Sequence, residues 1–341
     1  MTEAFSKAIV RWKSIVGEDN VREDSSTLNA YERNASQLER KIPAVILPKT
    51  TQEVQDIVRV ANENNTPIYP ISQGKNWGMG SRVPAKDGCV VVDLGRMNQI
   101  REVNEKHGHA IIEAGVTQQQ LYEFLSKNNS KYILGVTGSG SESSVIGNAL
   151  EKGGEYFYCR FDRISGLEVV LGNGNILKTG FGHYAKAQNT HNFKYGVGPY
   201  LDGLLAQSNF GIVTSAGLSL IPKREVHSAF KCSIYNENNF PELVDRFAEL
   251  RRTEILSTAA HIANRARTAN VLSPAIFDYL SLSQKGSQQG IDKKSYAQLK
   301  SEAEKIVDQL AAPWSIAGGL MGTKAQVAEA QKQIQKAMNG I

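Results

Sequence analysis

The sequence predicts an α+β protein in two parts, with a change of pattern near residue 223. Apolar runs typical of strands alternate with amphipathic helix patterns from residue 43 onward. After Lys223 the order of strands and helices becomes that of a ferredoxin-like unit. We therefore expect an N-terminal helical segment (1–42), a main domain (43–223) and a second domain (224–341).

Composition and charge are those of an ordinary globular protein. The 341 residues are 41% hydrophobic and 21% charged, with a net charge of +5. Because basic residues are interspersed with acidic ones, a nucleic-acid surface is not indicated. Cys89, Cys159 and Cys232 are far apart, which argues against a CxxC metal or redox site, and Cys89 is expected in the core. With no apolar run of membrane-spanning length, we expect a cytoplasmic protein with no membrane partner.

The elements of the main domain follow from periodicity and turn residues. Apolar residues at helical spacing predict a first helix over 4–16. The next predicted elements are a strand in 43–48, a helix over 51–65, a strand in TPIYPIS (66–72), strands at 88–94 and 110–116, and a helix over 117–129. The dipeptide Asn173-Gly174 between two apolar runs predicts a hairpin over 167–180. Residues 199–223 predict a helix, a tight turn at 209–211 and a strand ending at Pro222.

The second domain shows three strand patterns and three helix patterns. The predicted strands are KCSIY (231–235), 257–263 and 313–322, and the predicted helices are 240–252, 295–311 and 323–338. The polar segment 281–294 between them predicts a mobile loop.

A glycine-rich loop, PISQGKNWGMGS (70–81), follows a predicted strand. Gly74, Gly78 and Gly80 lack side chains, so backbone N–H groups there can converge on an anion. The spacing G-x-x-x-G-x-G is not the dinucleotide fingerprint. It is not a Walker A loop either, because no Ser or Thr follows Lys75. The loop is interpreted either as a phosphate-binding loop or as a surface turn.

A second segment of small residues, 135–148, strengthens the first interpretation. We expect Gly147 and Asn148 to open a helix whose N-terminal amides face an anion. Two such loops in one domain suit a long diphosphate ligand, although a pair of ordinary loops stays open as an alternative.

The histidines and the aromatic residues near position 195 form no recognisable catalytic or metal-binding motif. His107 and His109, in the tripeptide HGH, predict a solvated turn, and no further ligands indicate a metal site. Phe193, Tyr195 and Tyr200 lie among glycines and predict either a packed loop or one wall of a ligand pocket.

Four sequence blocks, in order, resemble the FAD-linked oxidases of the vanillyl-alcohol oxidase and p-cresol methylhydroxylase (PCMH) group. The blocks are residues 43–81, VVVDLGRMNQIREVN (90–104), SSVIGNALEKGGEY (143–156), and 165–180 with 193–223. The resemblance covers about 43–223 well, and 224–341 resembles the start of the family's substrate, or cap, domain. It implies a two-part PCMH-type FAD-binding domain followed by a partial ferredoxin-like cap.

The resemblance assigns residues to the cofactor. The residues matching the FAD diphosphate loop are Ser72, Gln73, Gly74, Lys75, Asn76, Gly78, Gly80 and Ser81. Further contacts with FAD are implied for Gly138, Ser144, Gly147 and Asn148, and for a strand containing Gly211, Ile212 and Val213.

The sequence also departs from the family. Met79 stands in the substrate pocket where phenol-oxidising members have a tyrosine, which argues against a para-phenol substrate. Ser139 matches the position of an aspartate near the flavin N5, and Glu142 close by is the other candidate for a catalytic group. The family continues beyond the residue matching Ile341. The chain is thus expected to be a fragment, a split gene product completed by a partner chain, or a reduced protein.

The function implied by the resemblance is an FAD-dependent oxidoreductase. It would transfer a hydride from a small alcohol, amine or benzylic carbon to the flavin N5, and then pass electrons to oxygen or a carrier protein. The FAD is expected to be non-covalent, because no histidine or cysteine in the FAD loops matches a usual attachment position. Two alternatives stay open: a non-catalytic or split subunit with this fold, and a 2-hydroxy-acid dehydrogenase.

Overall fold

The computed structural model describes residues 3–34, 38–75, 82–284 and 293–341. The chain divides into two compact units, Met1–Lys223 and Arg224–Ile341. The division falls at the residue where the sequence pattern changes.

The first unit contains helices and short strands in alternation. Its helices are α1 (Glu3–Val16), α2 (Ser25–Glu32), α3 (Thr51–Glu63), α4 (Gln118–Lys127) and α5 (Val145–Leu150). Its strands are β1 (Val21–Arg22), β2 (Val45–Ile46), β3 (Ile68–Ile71), β4 (Val90–Asp93), β5 (Ile100–Asn104), β6 (His109–Glu113), β7 (Tyr132–Ile133), β8 (Gly154–Glu155), β9 (Tyr158–Cys159), β10 (Ile164–Leu171), β11 (Ile176–Lys178), β12 (Gly211–Ser219) and β13 (Ile221–Pro222).

Two sheets organise this unit. The first has the order β1-β2-β4-β3, in which β2, β4 and β3 run parallel. The second is antiparallel, with the order β11-β10-β12-β6-β5. The parallel strands arise because α3 connects β2 to β3 as a crossover.

A core joins the first sheet to α1 and α3. Trp12 is fully buried, and its indole Nε1 donates a hydrogen bond to the Ile57 carbonyl at 3.2 Å. The same cluster reaches Val170 and Ile212 in the second sheet. Packing through α3 therefore fixes the position of the two sheets relative to each other.

A second core lies on the other side of the antiparallel sheet. Ile112, Leu167 and Ala216 from the sheet pack with Leu121 of α4 and Ile146 of α5. This packing places α5 beside the sheet. Cys89 is buried in the first unit, as the sequence predicts.

The second unit is a three-stranded antiparallel sheet with helices. Its elements are β14 (Val226–Ile234), α6 (Phe240–Arg252), β15 (Ala260–Asn264), α7 (Arg265–Gln284), α8 (Lys293–Leu310), β16 (Trp314–Gly322) and α9 (Lys324–Ala337). The strand order β14-β16-β15 places β16 between two strands joined through α6. This is the split β-α-β arrangement of ferredoxin-like folds, as predicted.

Three local predictions need correction. The predicted helix after residue 199 is only a short 3-10 turn, Asp202–Leu205, because glycine and proline precede it. Helix α7 was not predicted, since its apolar residues lie on all faces and Pro274 interrupts its pattern. The loop predicted at 281–294 is shorter than expected at both ends, and residues 285–292 lie outside the described residues.

The prediction of a solvated turn at His109 is wrong. Gly108 makes the turn with φ +69°, and His109 begins β6 as a buried residue. The ring centroid of His109 lies 5.9 Å from that of His191. Periodicity missed this because a single buried polar residue at a strand end carries no pattern.

The two histidines make the stability of this unit depend on pH. Burial lowers the pKa of both His109 and His191, so the fold favours their neutral forms. Their contribution is present above the unfolded pKa of about 6.5 and is lost as the pH falls through the folded pKa. We expect the melting temperature to fall as the pH is lowered through this range. The double variant His109→Gln/His191→Gln should show a smaller slope of melting temperature against pH.

The exposed His183 provides the control for this titration. The His183→Gln variant should keep the wild-type slope of melting temperature against pH, measured by calorimetry. Buried Asp93 and Asp202 have raised pKa values, so their contribution to stability is lost as the pH rises, opposite to that of the histidines. The histidine contribution to the slope is therefore the difference between wild type and the double variant. An unchanged slope in the double variant would contradict the assignment.

Candidate functional site

A cavity of about 430 Å³ lies in the first unit at the carboxyl ends of β3 and β4. Crevices beyond the carboxyl ends of parallel strands are common ligand sites in sheets of this kind. Its wall comes from three segments that are far apart in sequence. The predicted residues found in the wall are Ser72, Gln73, Gly74, Lys75, Ser139, Ser144, Gly147, Asn148, Gly211, Ile212 and Val213.

Six residues predicted for the cofactor or the substrate pocket are not among those that the structure shows in the wall. Gly138 is described but does not line the cavity. Asn76, Gly78, Met79, Gly80 and Ser81 lie outside the described residues. The wall also contains residues that sequence reasoning missed, including Tyr69, Ala114, Glu151, Leu205 and Gln207. Of these, Leu205 and Gln207 lie directly before the predicted strand at Gly211, and this proximity was the available signal.

The loop after β3 makes a close turn beside the cavity. Gly74 has φ +58°, a conformation that favours glycine, and a Cβ there would lie 2.3 Å from Arg82 Cγ. Gln73 Nε2 donates to the Gly115 carbonyl at 2.7 Å, which ties the loop to the end of β6. The backbone at Gly74 can therefore approach a ligand where a side chain could not fit.

The second segment is anchored by Ser144. Its Oγ donates to the Ala114 carbonyl at 2.6 Å and accepts the Gly147 N–H at 2.9 Å, which caps α5. The prediction that Gly147 and Asn148 open this helix is wrong by two residues, since α5 begins at Val145. Gly147 is required instead for close packing, because a Cβ there would lie 2.1 Å from Ser72 Oγ.

Asn148 lies in the cavity wall, and its side-chain oxygen is buried. Its Oδ1 is buried and has no hydrogen-bond partner within the described part of the chain. Its amide lies against Gly153, where a Cβ would be 2.2 Å from Nδ2. The unpaired oxygen also lies against Gly153, at 2.3 Å from the position of that Cβ, so it faces protein atoms and not the open cavity.

The candidates for catalysis have different surroundings. Ser139 lines the cavity, and its Oγ is hydrogen-bonded to Thr137 Oγ1 at 2.6 Å. Glu142 is exposed and outside the wall, where its carboxylate forms an ion pair with Lys75 at 3.0 Å. In this arrangement, Glu142 partly neutralises the lysine beside the cavity.

A buried polar clamp holds the segment that contains Ser139. Gln118 Nε2 donates to the Ser139 and Gly140 carbonyls at 3.3 and 3.2 Å, and Gln118 Oε1 accepts the Thr137 N–H at 3.0 Å. The guanidinium of Arg160, which is 1% exposed, donates to Gln118 Oε1 at 2.8 Å. Burial lowers the pKa of Arg160 to about 10. No sequence pattern marked either residue.

The aromatic residues of 193–204 lie away from the cavity wall. Phe193 and Tyr195 are exposed, and the ring of Tyr195 lies 5.3 Å from that of Tyr200. Burial raises the pKa of Tyr200 to about 12. The packed-loop interpretation accounts for these contacts.

Within 3–34, 38–75, 82–284 and 293–341, histidine, cysteine and acidic side chains nowhere gather in a group of three or more suited to a metal ion. In the same ranges, none of the helices combines the length and apolar character needed to cross a bilayer.

Residues 42–180 match the family model described as FAD binding domain. The chain is 40% identical over 252 residues to 1'-carboxy-chondrochloren decarboxylase of Chondromyces crocatus, covering 73% of this chain and 47% of that protein. It is 33% identical over 269 residues to the 4-cresol dehydrogenase (hydroxylating) flavoprotein subunit of Pseudomonas putida, covering 76% of this chain and 51% of that protein. The chain thus spans about half the length of these curated relatives.

A solved structure gives the same result for the fold. The structure of p-cresol methylhydroxylase with substrate bound superposes with a TM-score of 0.84 and 29% identity. The match covers 99% of this chain and 64% of that chain.

Proposed function

The chain belongs to the PCMH-type FAD-binding family, and from this premise we propose that it binds FAD in the cavity of its first unit and is part of an FAD-dependent oxidoreductase. The observation that carries the proposal is the cavity wall. Three segments assigned to FAD by resemblance, around Gly74, Gly147 and Gly211, meet there.

The residues of the wall fit a dinucleotide diphosphate. Gly74 and Gly147 leave no room for side chains, so backbone groups can lie against the ligand. Lys75 supplies a positive charge at the rim, where it also pairs with Glu142. We therefore propose that Ser72–Lys75, Ser144, Gly147 and Asn148 hold the cofactor.

When bound, FAD supplies the redox chemistry by accepting a hydride from the substrate at its flavin ring. The protein binds and orients the reactants. The Gln118 clamp fixes the segment containing Ser139, so Ser139 is the proposed polar contact near the reacting groups. The proposed substrate is a small alcohol, amine or benzylic compound, and the proposed electron acceptor is oxygen or a carrier protein.

The colour of the purified protein tests this proposal. FAD-containing protein should absorb near ~450 nm, and the band should bleach anaerobically when a substrate is added. A substrate panel should include benzylic alcohols, amines, aromatic carboxylic acids, para-alkyl phenols and 2-hydroxy acids. Acid precipitation should release the flavin into the supernatant if it is non-covalent. A colourless protein that takes up no FAD on reconstitution would refute the proposal.

A partner chain is part of the proposal. One of the matched relatives is named as a flavoprotein subunit, and this name is the observation that favours a partner. We propose that this chain acts together with a second polypeptide. The alternative, a non-catalytic FAD-fold subunit, predicts a flavin band that no substrate bleaches, either alone or with the partner chain.

A further inference from the structure

A buried carboxylate lies directly behind the loop that forms one wall of the cavity. Asp93 ends β4 and pairs in register with Ile71, the residue before Ser72. Only 8% of Asp93 is exposed. An ionised carboxylate here would repel an anion bound at the loop, because charges in a buried setting are weakly screened.

Neutral groups satisfy the hydrogen-bonding needs of this carboxylate. The hydroxyl of Tyr31 in α2 donates to Asp93 Oδ2 at 2.5 Å, and the Gly95 N–H donates to Oδ1 at 2.8 Å. Burial raises the pKa of Asp93, while these hydrogen bonds and the positive charge of Arg82 act in the opposite direction. Among the described residues, Arg82 is thus the cation that lowers the pKa of Asp93.

Arg82 touches both the partner of Asp93 and the loop itself. Its guanidinium carbon lies 4.9 Å from the ring centroid of Tyr31. Its Nη2 donates to the Gln73 carbonyl at 3.5 Å, and its aliphatic part packs against Gly74. Arg82 Nε is buried without a hydrogen-bond partner within the described part of the chain.

We propose that Arg82 is a positioning residue that supplies the counter-charge for Asp93, so that the loop Ser72–Lys75 can hold an anionic diphosphate. The proposal rests on the proposed function, since it concerns the same cavity. Tyr31 couples the two charged residues by donating to one and stacking under the other. Removing Arg82 would leave the Asp93 charge unbalanced behind the bound anion.

The test is a double-variant cycle on the full chain. Flavin fluorescence quenching would give the Kd for FAD in Arg82→Gln, Asp93→Asn and the double variant. We expect Arg82→Gln to raise Kd about tenfold at about pH 7.5, and by less as the pH is lowered and Asp93 takes up a proton. Because the double variant lacks the unbalanced charge, it should recover to within about threefold of wild type.

Two further variants separate this role from its alternatives. Arg82→Lys keeps the charge and should bind FAD nearly as well as wild type. Arg59→Gln removes a cation paired with Asp56 on α3 and should leave Kd unchanged. If Arg82 touched the cofactor directly, or served only to shape the loop, the double variant would bind as poorly as Arg82→Gln. That result would overturn the proposal.

A measurement without FAD distinguishes this inference from the proposed function. Arg82→Gln should raise the pKa of Asp93 further, so the apoprotein should lose melting temperature as the pH rises through that value. Asp93→Asn should abolish this difference. In the described part of the chain, the ionisable groups acting on Asp93 are Tyr31, Arg82 and, through Tyr31, Arg22. If wild type binds no FAD, the proposed function fails, while parallel apoprotein melting curves would separately overturn the charge coupling.

Discussion

The Gly74→Glu variant is expected to lose FAD binding, with Kd raised at least about a hundredfold, which corresponds to about 3 kcal/mol. Gly74 has φ +58°, which disfavours any residue with a Cβ. A Cβ would also lie 2.3 Å from Arg82 Cγ, so either the Arg82 side chain or the loop must move. The added carboxylate would then repel the diphosphate. Flavin content after purification and Kd on reconstitution measure the effect.

The matched control is Gly88→Glu. Gly88 has a similar backbone conformation, with φ +79°, but a Cβ there would meet nothing within 4 Å. This variant carries the same backbone strain and the same added charge without touching the cavity. It should therefore keep wild-type flavin content. Equal flavin content in Gly74→Glu and wild type would refute the assignment of the loop.

The Arg160→Met variant is expected to destabilise the first unit by about 3 kcal/mol, because it removes charge-assisted hydrogen bonds inside the core. The guanidinium donates to Gln118 Oε1 and to the Gly135 carbonyl, which would lose a buried donor. Urea unfolding of the apoprotein measures the loss. FAD affinity should fall as well, since the segment containing Ser139 depends on the same clamp.

A cycle with Gln118→Leu tests whether the clamp acts as a unit. The two residues share a hydrogen bond, so their effects should be strongly non-additive. The comparison variant Arg163→Met removes a cation that is paired with Glu155 and does not contact Gln118. Its effect should add to that of Gln118→Leu. Additivity in the Arg160 cycle would show that the clamp is not a single unit.

Much of the fold could be predicted from local sequence. The hairpin around Asn173-Gly174 forms as expected, with Gly174 at φ +80° and Val170 opposite Ile176. Helix α6 has the predicted bounds, because its apolar stripe and Pro241 at its start are local signals. The ferredoxin-like arrangement of the second unit was predicted from the order of strand and helix patterns along residues 224–341.

The cavity was predictable in part. Its three glycine-containing segments were assigned by resemblance, and the structure brings them together. The residues behind the wall were not predictable. Arg160, Gln118 and Asp93 act through contacts between residues far apart in the chain, and such contacts leave no periodic pattern. The same reason explains why the burial of His109 was missed.

The wall of the cavity joins residues 72–75, 139–148 and 205–213, and more than fifty positions separate each segment from the next along the chain. Contacts between residues far apart in the sequence are expected to form late. Closing the long loop between them costs conformational entropy before the contact stabilises the fold. The cavity is therefore expected to appear only when both sheets of the first unit are complete. FAD would then bind only the folded unit and raise its free energy of unfolding. The appearance of flavin absorbance during refolding would accordingly time the last step of assembly.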